Sequence, residues 1–302
     1  MIPAVRTTGP PSRLFDPTKI VDSERLGEVA WSQFNENFER LIKCDWRTVN
    51  EGTSYPWWRQ LLRLGLAYIQ QRRNAILDFE GKAGIFRRLD IPPNPDIVFF
   101  GAEVGWEAAI IQALFGDEGK VLLIDNDPIA YQRYLNAPQR VLVRAPRGWK
   151  TKELVLHRDP SRIEYLQADF FEIHRPHEFD VGIDWGLIEH FQDSRKPAVL
   201  QVFKRFLKDG GLQISSCPRN TLAVRLFYRA FSDELNFGYR ELMKPSQLKS
   251  HLEKEGFQVE QTFTLPAHNI VASRVRHRDL NPAYSAGGTP SQSDDDHLRR
   301  IP

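Results

Sequence analysis

From residue 96 onward the chain alternates between short apolar β-rich runs and segments with helical spacing, and this alternation leaves few folds open. DIVFFGAEVG is a β-rich run that ends in glycines, and WEAAIIQALFG is a helix closed by Gly116. KVLLIDNDP reads as a second strand, IAYQRYL as a helix, RIEYLQADFF as a third strand and FDVGID as a fourth. PAVLQVFKRFLKDGG reads as a helix ended by glycines, LQISSC as a fifth strand, LKSHLEKEG as a helix, and FQVEQTF and HNIVASRV as two closing strands. A helix between two strands must cross back over their sheet, so the order predicts a parallel, doubly wound α/β architecture. VLLI is apolar at every position, as expected of a strand covered on both faces.

The flanks read differently. Residues 1–20 are rich in Pro, Thr, Ser and Arg and are expected to form a flexible arm. Residues 21–90 form a helical N-terminal region, a lid or substrate region for the sheet domain of residues 91–275. Its first helix is predicted over 24–44, with Leu26, Val29, Ala30, Phe34, Phe38 and Leu41 three and four apart. Its second starts at Pro56 and places Trp58, Leu62, Leu66 and Ile69 on one face. Residues 276–302 are polar and end in SDDDHLRRIP, a disordered tail. The basic stretch 139–162 is too long for an ordinary connection. RVLVRA and ELVLH within it are both β-like and predict a hairpin.

Composition narrows the function class. A net charge of +2 argues against a protein built mainly to bind nucleic acid. Cys44 and Cys217 stand far apart with no Cys/His cluster, so neither a metal site nor a disulfide framework is expected. The N-terminus lacks an apolar signal core, and the longest apolar run, LLRLGLAYI, is interrupted by Arg63, so no membrane span is expected. These readings point to a soluble, cytoplasmic protein.

Candidate chemistry clusters at the strand ends. Gly101 and Gly105 follow the first strand and open a helix, where backbone can approach a ligand closely. Asp125 closes the second strand, where a carboxylate can accept from two ribose hydroxyls; Asp127 is the alternative within DNDP. Asp169 can accept from an exocyclic amine, with Phe170 or Phe171 packing on a ring. The fourth strand delivers Asp184 and Trp185, with Glu189 and His190 just beyond, and a histidine there is a natural general base. Each group also has a plain structural reading, as turn glycine, helix cap, loop acid or core aromatic.

In this order, GAEVG, LLIDND, YLQADFFE, FDVGIDWGLIEHFQD and FLKDGGLQISSCPRN resemble the class I S-adenosylmethionine-dependent methyltransferases of the small-molecule and lipid type. The resemblance spans residues 90–275 and excludes both ends. It implies a Rossmann-like doubly wound, seven-stranded, mostly parallel sheet, with one antiparallel strand from the last hairpin. It implies S-adenosyl-L-methionine as cofactor, with Gly101, Glu103 and Gly105 against its methionine part. Asp125 and Asn126 would meet the ribose, Asp169 and Phe170 the adenine, and Asp184 with Trp185 the transfer site. His190, with Glu189, stands where some members hold a catalytic base.

Two positions depart from the family pattern. Phe99 stands where an acidic residue is usual, and Glu103 where glycine is usual. Glu103 could present its carboxylate to the cofactor's ammonium group. A nicotinamide dehydrogenase would instead need G-x-G-x-x-G, a spacing GAEVGWEA lacks.

The expected function is methyl transfer to a small-molecule acceptor, apolar or aromatic, with O-, N- and C-methylation all open. Trp57, with Tyr55 and Trp58, and the insertion RNTLAVRLFYRAFSDELNFGYRELM, with Tyr228 and Tyr239, are the expected substrate-binding regions. No nucleic-acid partner is expected, and self-association as a homodimer is left open. A catalytically silent binding or regulatory subunit is the alternative, motivated by Phe99 and Glu103. An RNA- or protein-modifying methyltransferase is a second, motivated by the basic stretch; DWGL, where an NPPY-type tetrapeptide would stand, argues against it.

Overall fold

The structure, a computed structural model, describes residues 19–20, 56–73, 79–143, 154–231 and 239–276. The helix expected over 24–44 and the tail from 277 lie outside the described residues. Helix α1 is Trp57–Arg73 and α2 is Phe79–Phe86. Strand β1, Lys19–Ile20, is the end of the expected arm and pairs with a strand 220 residues downstream, given below as β9.

The sheet domain follows the predicted alternation. It runs β2 (Ile97–Phe100), α3 (Trp106–Phe115), β3 (Val121–Asp125) and α4 (Pro128–Asn136). The hairpin β4 (Arg140–Val143) and β5 (Leu154–His157) comes next, then β6 (Ile163–Gln167) and β7 (Phe179–Trp185). After a 3-10 turn, Ile188–His190, come α5 (Lys196–Phe206), β8 (Leu207–Pro218) and α6 (Leu222–Ala230). Strand β9 (Arg240–Glu241), α7 (Pro245–Lys254), β10 (Phe257–Thr264) and β11 (His268–Val275) complete it.

Seven strands form one sheet in the order β10-β11-β8-β7-β2-β3-β6. The pairs from β8 through β6 are parallel, and β11 is antiparallel to both neighbours. This is the Rossmann-like α/β sheet that the motif order implies. The basic stretch does form a hairpin, with β4 and β5 paired antiparallel as a separate two-stranded sheet.

Both faces of the sheet are covered. Ile97, Phe99, Val121 and Leu123 pack with α2, α3 and Leu156 of β5 on one face. Val98, Phe100, Leu122 and Ile124 pack with α5 and α7 on the other. The unbroken apolarity of IVFF and VLLI thus serves two cores, one residue to each in turn. Alpha-helix α5 stops at Phe206 instead of running to the glycines, because Leu207 and Lys208 already belong to β8 and Leu207 pairs with Phe179. Gly210, at φ 74°, lies where the register of that long strand shifts against β7.

No helix among the described residues is long and apolar enough to cross a membrane.

Candidate active site

The chain leaves β2 for β3 and β6 on one side, then returns to β7 and β8 on the other. The order reverses between β2 and β7, and in an open α/β sheet ligands bind at the carboxyl ends of such strands. Four loops end there: 101–105, 125–127, 168–171 and 185–191.

The first loop is built on positive φ angles. Gly101, Glu103 and Gly105 take 63°, 46° and 81°. A Cβ on Gly105 would come within 2.6 Å of Leu123, so its bareness serves core packing as well as the turn into α3. The loop's third residue donates its backbone N–H to Asp125: Glu103 N lies 2.9 Å from Oδ2, and Asp127 N lies 3.0 Å from Oδ1. Two backbone donors therefore orient the Asp125 carboxylate, and each oxygen keeps acceptor capacity. Burial raises its pKa to about 6; the two backbone hydrogen bonds oppose this, and the charges of Asp127 and Glu103 add to it.

Asp125 and Asp127 are held differently. Asp127 Oδ1 accepts from Ile129 N at 2.8 Å and starts α4. Asn126 between them is exposed. The Glu103 carboxylate lies 2.6 Å from Arg133 Nη1 on α4. Phe99 is buried in β2, in register with Leu123 and Ile183, so the usual acid's position is filled by core.

At the third loop, Asp169 is exposed and accepts from Phe171 N at 2.9 Å. Phe170 is buried among Phe100, Phe191 and Phe203 and stacks on Phe171 with ring centroids 4.6 Å apart. Phe171 is the more accessible ring of the two.

Asp184 at the end of β7 is fully buried and accepts from Gln213 Nε2 at 2.7 Å. Burial pushes its pKa far above the carboxylate range, against hydrogen bonding from Ser215 and Gln213, and the nearby Glu189 adds to the rise. Trp185 beside Asp184 meets Phe86 edge-on at 6.4 Å, with the Lys82 ammonium 4.7 Å from its ring centre. Lys82 is also paired with Glu107 at 2.5 Å, which joins α2 to α3 beneath the site.

Beyond β7 lies a buried ionic cluster. Glu189 is buried, and its Oε2 has no hydrogen-bond partner among the described residues. Burial lifts its pKa to about 7, against the pull of Arg240 and Lys196. His190 Nδ1 lies 2.9 Å from the Tyr239 carbonyl, and Nε2 lies 3.8 Å from Glu189 Oε1. Burial, then the Arg240 charge, lowers the His190 pKa well below its ordinary value, so the ring is neutral and donates from Nδ1. Lys196, wholly buried, is paired with Asp193 at 2.6 Å and with Glu241. The Arg240 guanidinium lies 4.9 Å from the Tyr228 ring centre, and Tyr239 Oη donates to Glu241 Oε2 at 3.3 Å.

Tyr228 and Tyr239 are thus buried members of this cluster, whereas Trp57 on α1 is 73% exposed. Tyr55 lies outside the described residues. Two of the basic stretch's arginines are engaged locally. Arg158 is buried, donates to Tyr134 O at 3.0 Å and sits over the Tyr134 ring at 4.2 Å, and Arg162 is 3.6 Å from Asp159.

The sequence reading missed Lys82, Gln213, Lys196, Arg240 and Glu241. Each works through a partner far away in the chain, and no local pattern marks a surface-type residue for burial.

No family model matches the chain, and no curated protein matches it. Solved structures do. A possible exported protein from Bordetella parapertussis aligns with a TM-score of 0.52 at 19% identity, over 80% of this chain and 79% of that one. A chain of the complex between a Haloferax volcanii methyltransferase and its methyltransferase activator aligns with a TM-score of 0.50 at 11% identity, over 70% and 95%.

The chain has the class I S-adenosylmethionine-dependent methyltransferase fold.

A methyltransferase from Aquifex aeolicus described as dependent on that cofactor is a further neighbour, with a TM-score of 0.47 at 14% identity, over 74% and 100%. In the methyltransferase fold, loops 101–105, 125–127 and 168–171 stand together on one side of the switch point. The β7 end and the buried ionic cluster stand on the other.

Proposed function

We propose that the chain transfers a methyl group from S-adenosylmethionine to a small-molecule acceptor. The observation that carries this is Asp125. It sits at the carboxyl end of β3, one strand from the switch point, with its carboxylate held by two backbone amides and with acceptor capacity left over. Two further features suit a bound cofactor. A Cβ on Gly101 would press on Leu187 at 3.2 Å, so the loop is kept narrow, and Glu189 Oε2 is a buried acceptor without a partner among the described residues.

In this reading Gly101, Glu103 and Gly105 form the wall for the methionine part, Glu103 through its backbone. Asp125 and Asn126 receive the ribose. Asp169 takes the adenine amine, with Phe170 and Phe171 as the apolar side. Asp184 and Trp185 border the transfer site. When bound, S-adenosylmethionine supplies an electrophilic methyl group on a sulfonium. The chain's part is then placement and exclusion of water. Asp184, fixed by Gln213, orients by hydrogen bonding.

Proton removal from an oxygen acceptor falls to the Glu189–His190 pair. Glu189 titrates near neutrality and His190 stays neutral at its side. Trp57, Tyr228 and Tyr239 belong to the two segments that bound the acceptor side, and an apolar or aromatic acceptor suits them. A reducing, cytoplasmic setting fits Cys217, a buried free thiol. A catalytically silent, ligand-binding subunit is the second reading, favoured by Phe99, which puts core where the family's acid stands.

Methyl-labelled S-adenosylmethionine offered with phenolic, amine and isoprenoid acceptors tests the proposal. Label is expected in an organic-extractable product. Label that passes only to RNA or protein, or stays on the cofactor in every case, would overturn the small-molecule reading.

A further inference from the structure

The N-terminal region reaches the site through α2. Helix α1 turns Trp58 and Leu62 to solvent, whereas α2 buries Ala83, Ile85 and Phe86 in the core. It packs close against the turn between β10 and β11, where a Cβ on Gly81 would come within 3.0 Å of Leu265. Lys82, one turn before Phe86, is only 7% exposed. A lysine is rarely buried unless something replaces the water around its ammonium.

Glu107 and Trp185 do so here. Lys82 Nζ donates to Glu107 Oε1 at 2.5 Å and lies over the Trp185 ring, 4.7 Å from its centre, against the electron-rich face. The two partners stand on opposite sides of the switch point. Glu107 is in the first turn of α3, directly after the 101–105 loop, and Trp185 ends β7. Phe86, edge-on, and the His268 ring, 6.2 Å away, enclose the indole further. The ammonium is anchored by a buried carboxylate, so the indole is drawn to a fixed point and not to a mobile surface charge.

We propose that Lys82 is a positioning residue for Trp185: held by Glu107, its ammonium fixes the indole at the end of β7. Helix α2 thereby brings a residue from outside the sheet domain to the site and ties the two sides of the switch point together. That Trp185 borders the transfer site rests on the methyl-transfer reading. The hold of Lys82 on the ring does not.

Fluorine NMR of the full chain labelled with 5-fluorotryptophan tests this, with the Trp185 line among the seven tryptophans identified by Trp185→Phe. Lys82→Met alone leaves the Glu107 carboxylate buried and unpaired. The variant to compare is therefore Lys82→Met with Glu107→Leu, in which apolar groups replace the whole pair, once circular dichroism shows it folded. The Trp185 line is expected to move and broaden in this double variant. In Lys82→Arg, which retains a cation, it should stay nearer its parent position. An unmoved line in the folded double variant would overturn the inference, and so would an equal displacement in Lys82→Arg. Addition of S-adenosylhomocysteine separates the two readings. A Trp185 line that ignores it in the parent, yet moves when Lys82 is lost, would support the positioning role and take Trp185 away from the transfer site.

Discussion

His190 Nδ1 lies 2.9 Å from the carbonyl oxygen of Tyr239, and this bond fastens the turn after β7 to the strand that returns from α6. His190→Ala removes a buried donor and leaves a hole. Thermal denaturation should show a loss of about 1–3 kcal/mol. Turnover should fall at least about tenfold while cofactor affinity stays nearly unchanged. Unaltered turnover would remove His190 from the catalytic pair.

The pH dependence of stability should report Glu189. Its folded pKa is raised from the ordinary 4.5 to about 7. The folded state then holds the proton that the unfolded state has released, so this contribution is fully present below pH 4.5 and is lost as pH rises through 7. The loss is on the order of 3 kcal/mol. His190 works in the opposite direction: its depressed pKa removes stability as pH falls below its ordinary 6.5. Glu189→Gln should therefore remove a fall in stability between about pH 4.5 and 7 and leave the profile above pH 7 parallel to the parent's. A profile as steep as the parent's would place the titration elsewhere.

Cofactor affinity should depend on the Asp125 proton. With a pKa of about 6 in the free protein, the carboxylate is available above that value and lost below it. Affinity should fall about tenfold per pH unit below 6 and level off above it. Asp125→Asn should bind weakly with no such limb. An identical limb in the variant would contradict the ribose role.

Glu103→Gly restores the residue usual in the family. The left-handed φ of 46° costs a side-chain-bearing residue about 1 kcal/mol, which glycine avoids. The lost pair with Arg133, partly exposed, contributes about 0.5 kcal/mol. Stability should change little, and equilibrium dialysis should show affinity for S-adenosylmethionine unchanged or improved. A loss of about tenfold would mean that the carboxylate leaves Arg133 for the cofactor's ammonium group.

The sheet was legible because its strands are short, uniformly apolar and separated by helices. IVFF, VLLI and FDVGID could hardly be anything but central strands. The position of Asp125 at the end of its strand was legible as well, since it directly follows VLLI, and the structure adds that Asp127 is used as a helix cap. The lid was not. Trp58 and Leu62 have the spacing of a core-facing stripe, and spacing alone does not say which side of a helix meets the protein. The ionic cluster escaped notice for a related reason. Lys196 and Glu241 become partners only when α5 and β9 are folded against each other. Asp184 was placed correctly at the strand end, but the upward push on its pKa comes from burial, against the hydrogen bond from Gln213, and both are set by tertiary packing.

The most direct measurement is calorimetric titration of the full chain with S-adenosylhomocysteine, alongside Asp125→Ala. Saturable binding at one site is expected, weakened about tenfold or more by the substitution, which removes acceptors from both ribose hydroxyls. A folded parent chain that gives no binding heat and no thermal shift would contradict the cofactor site. Equal affinity in the variant would contradict Asp125's place in it.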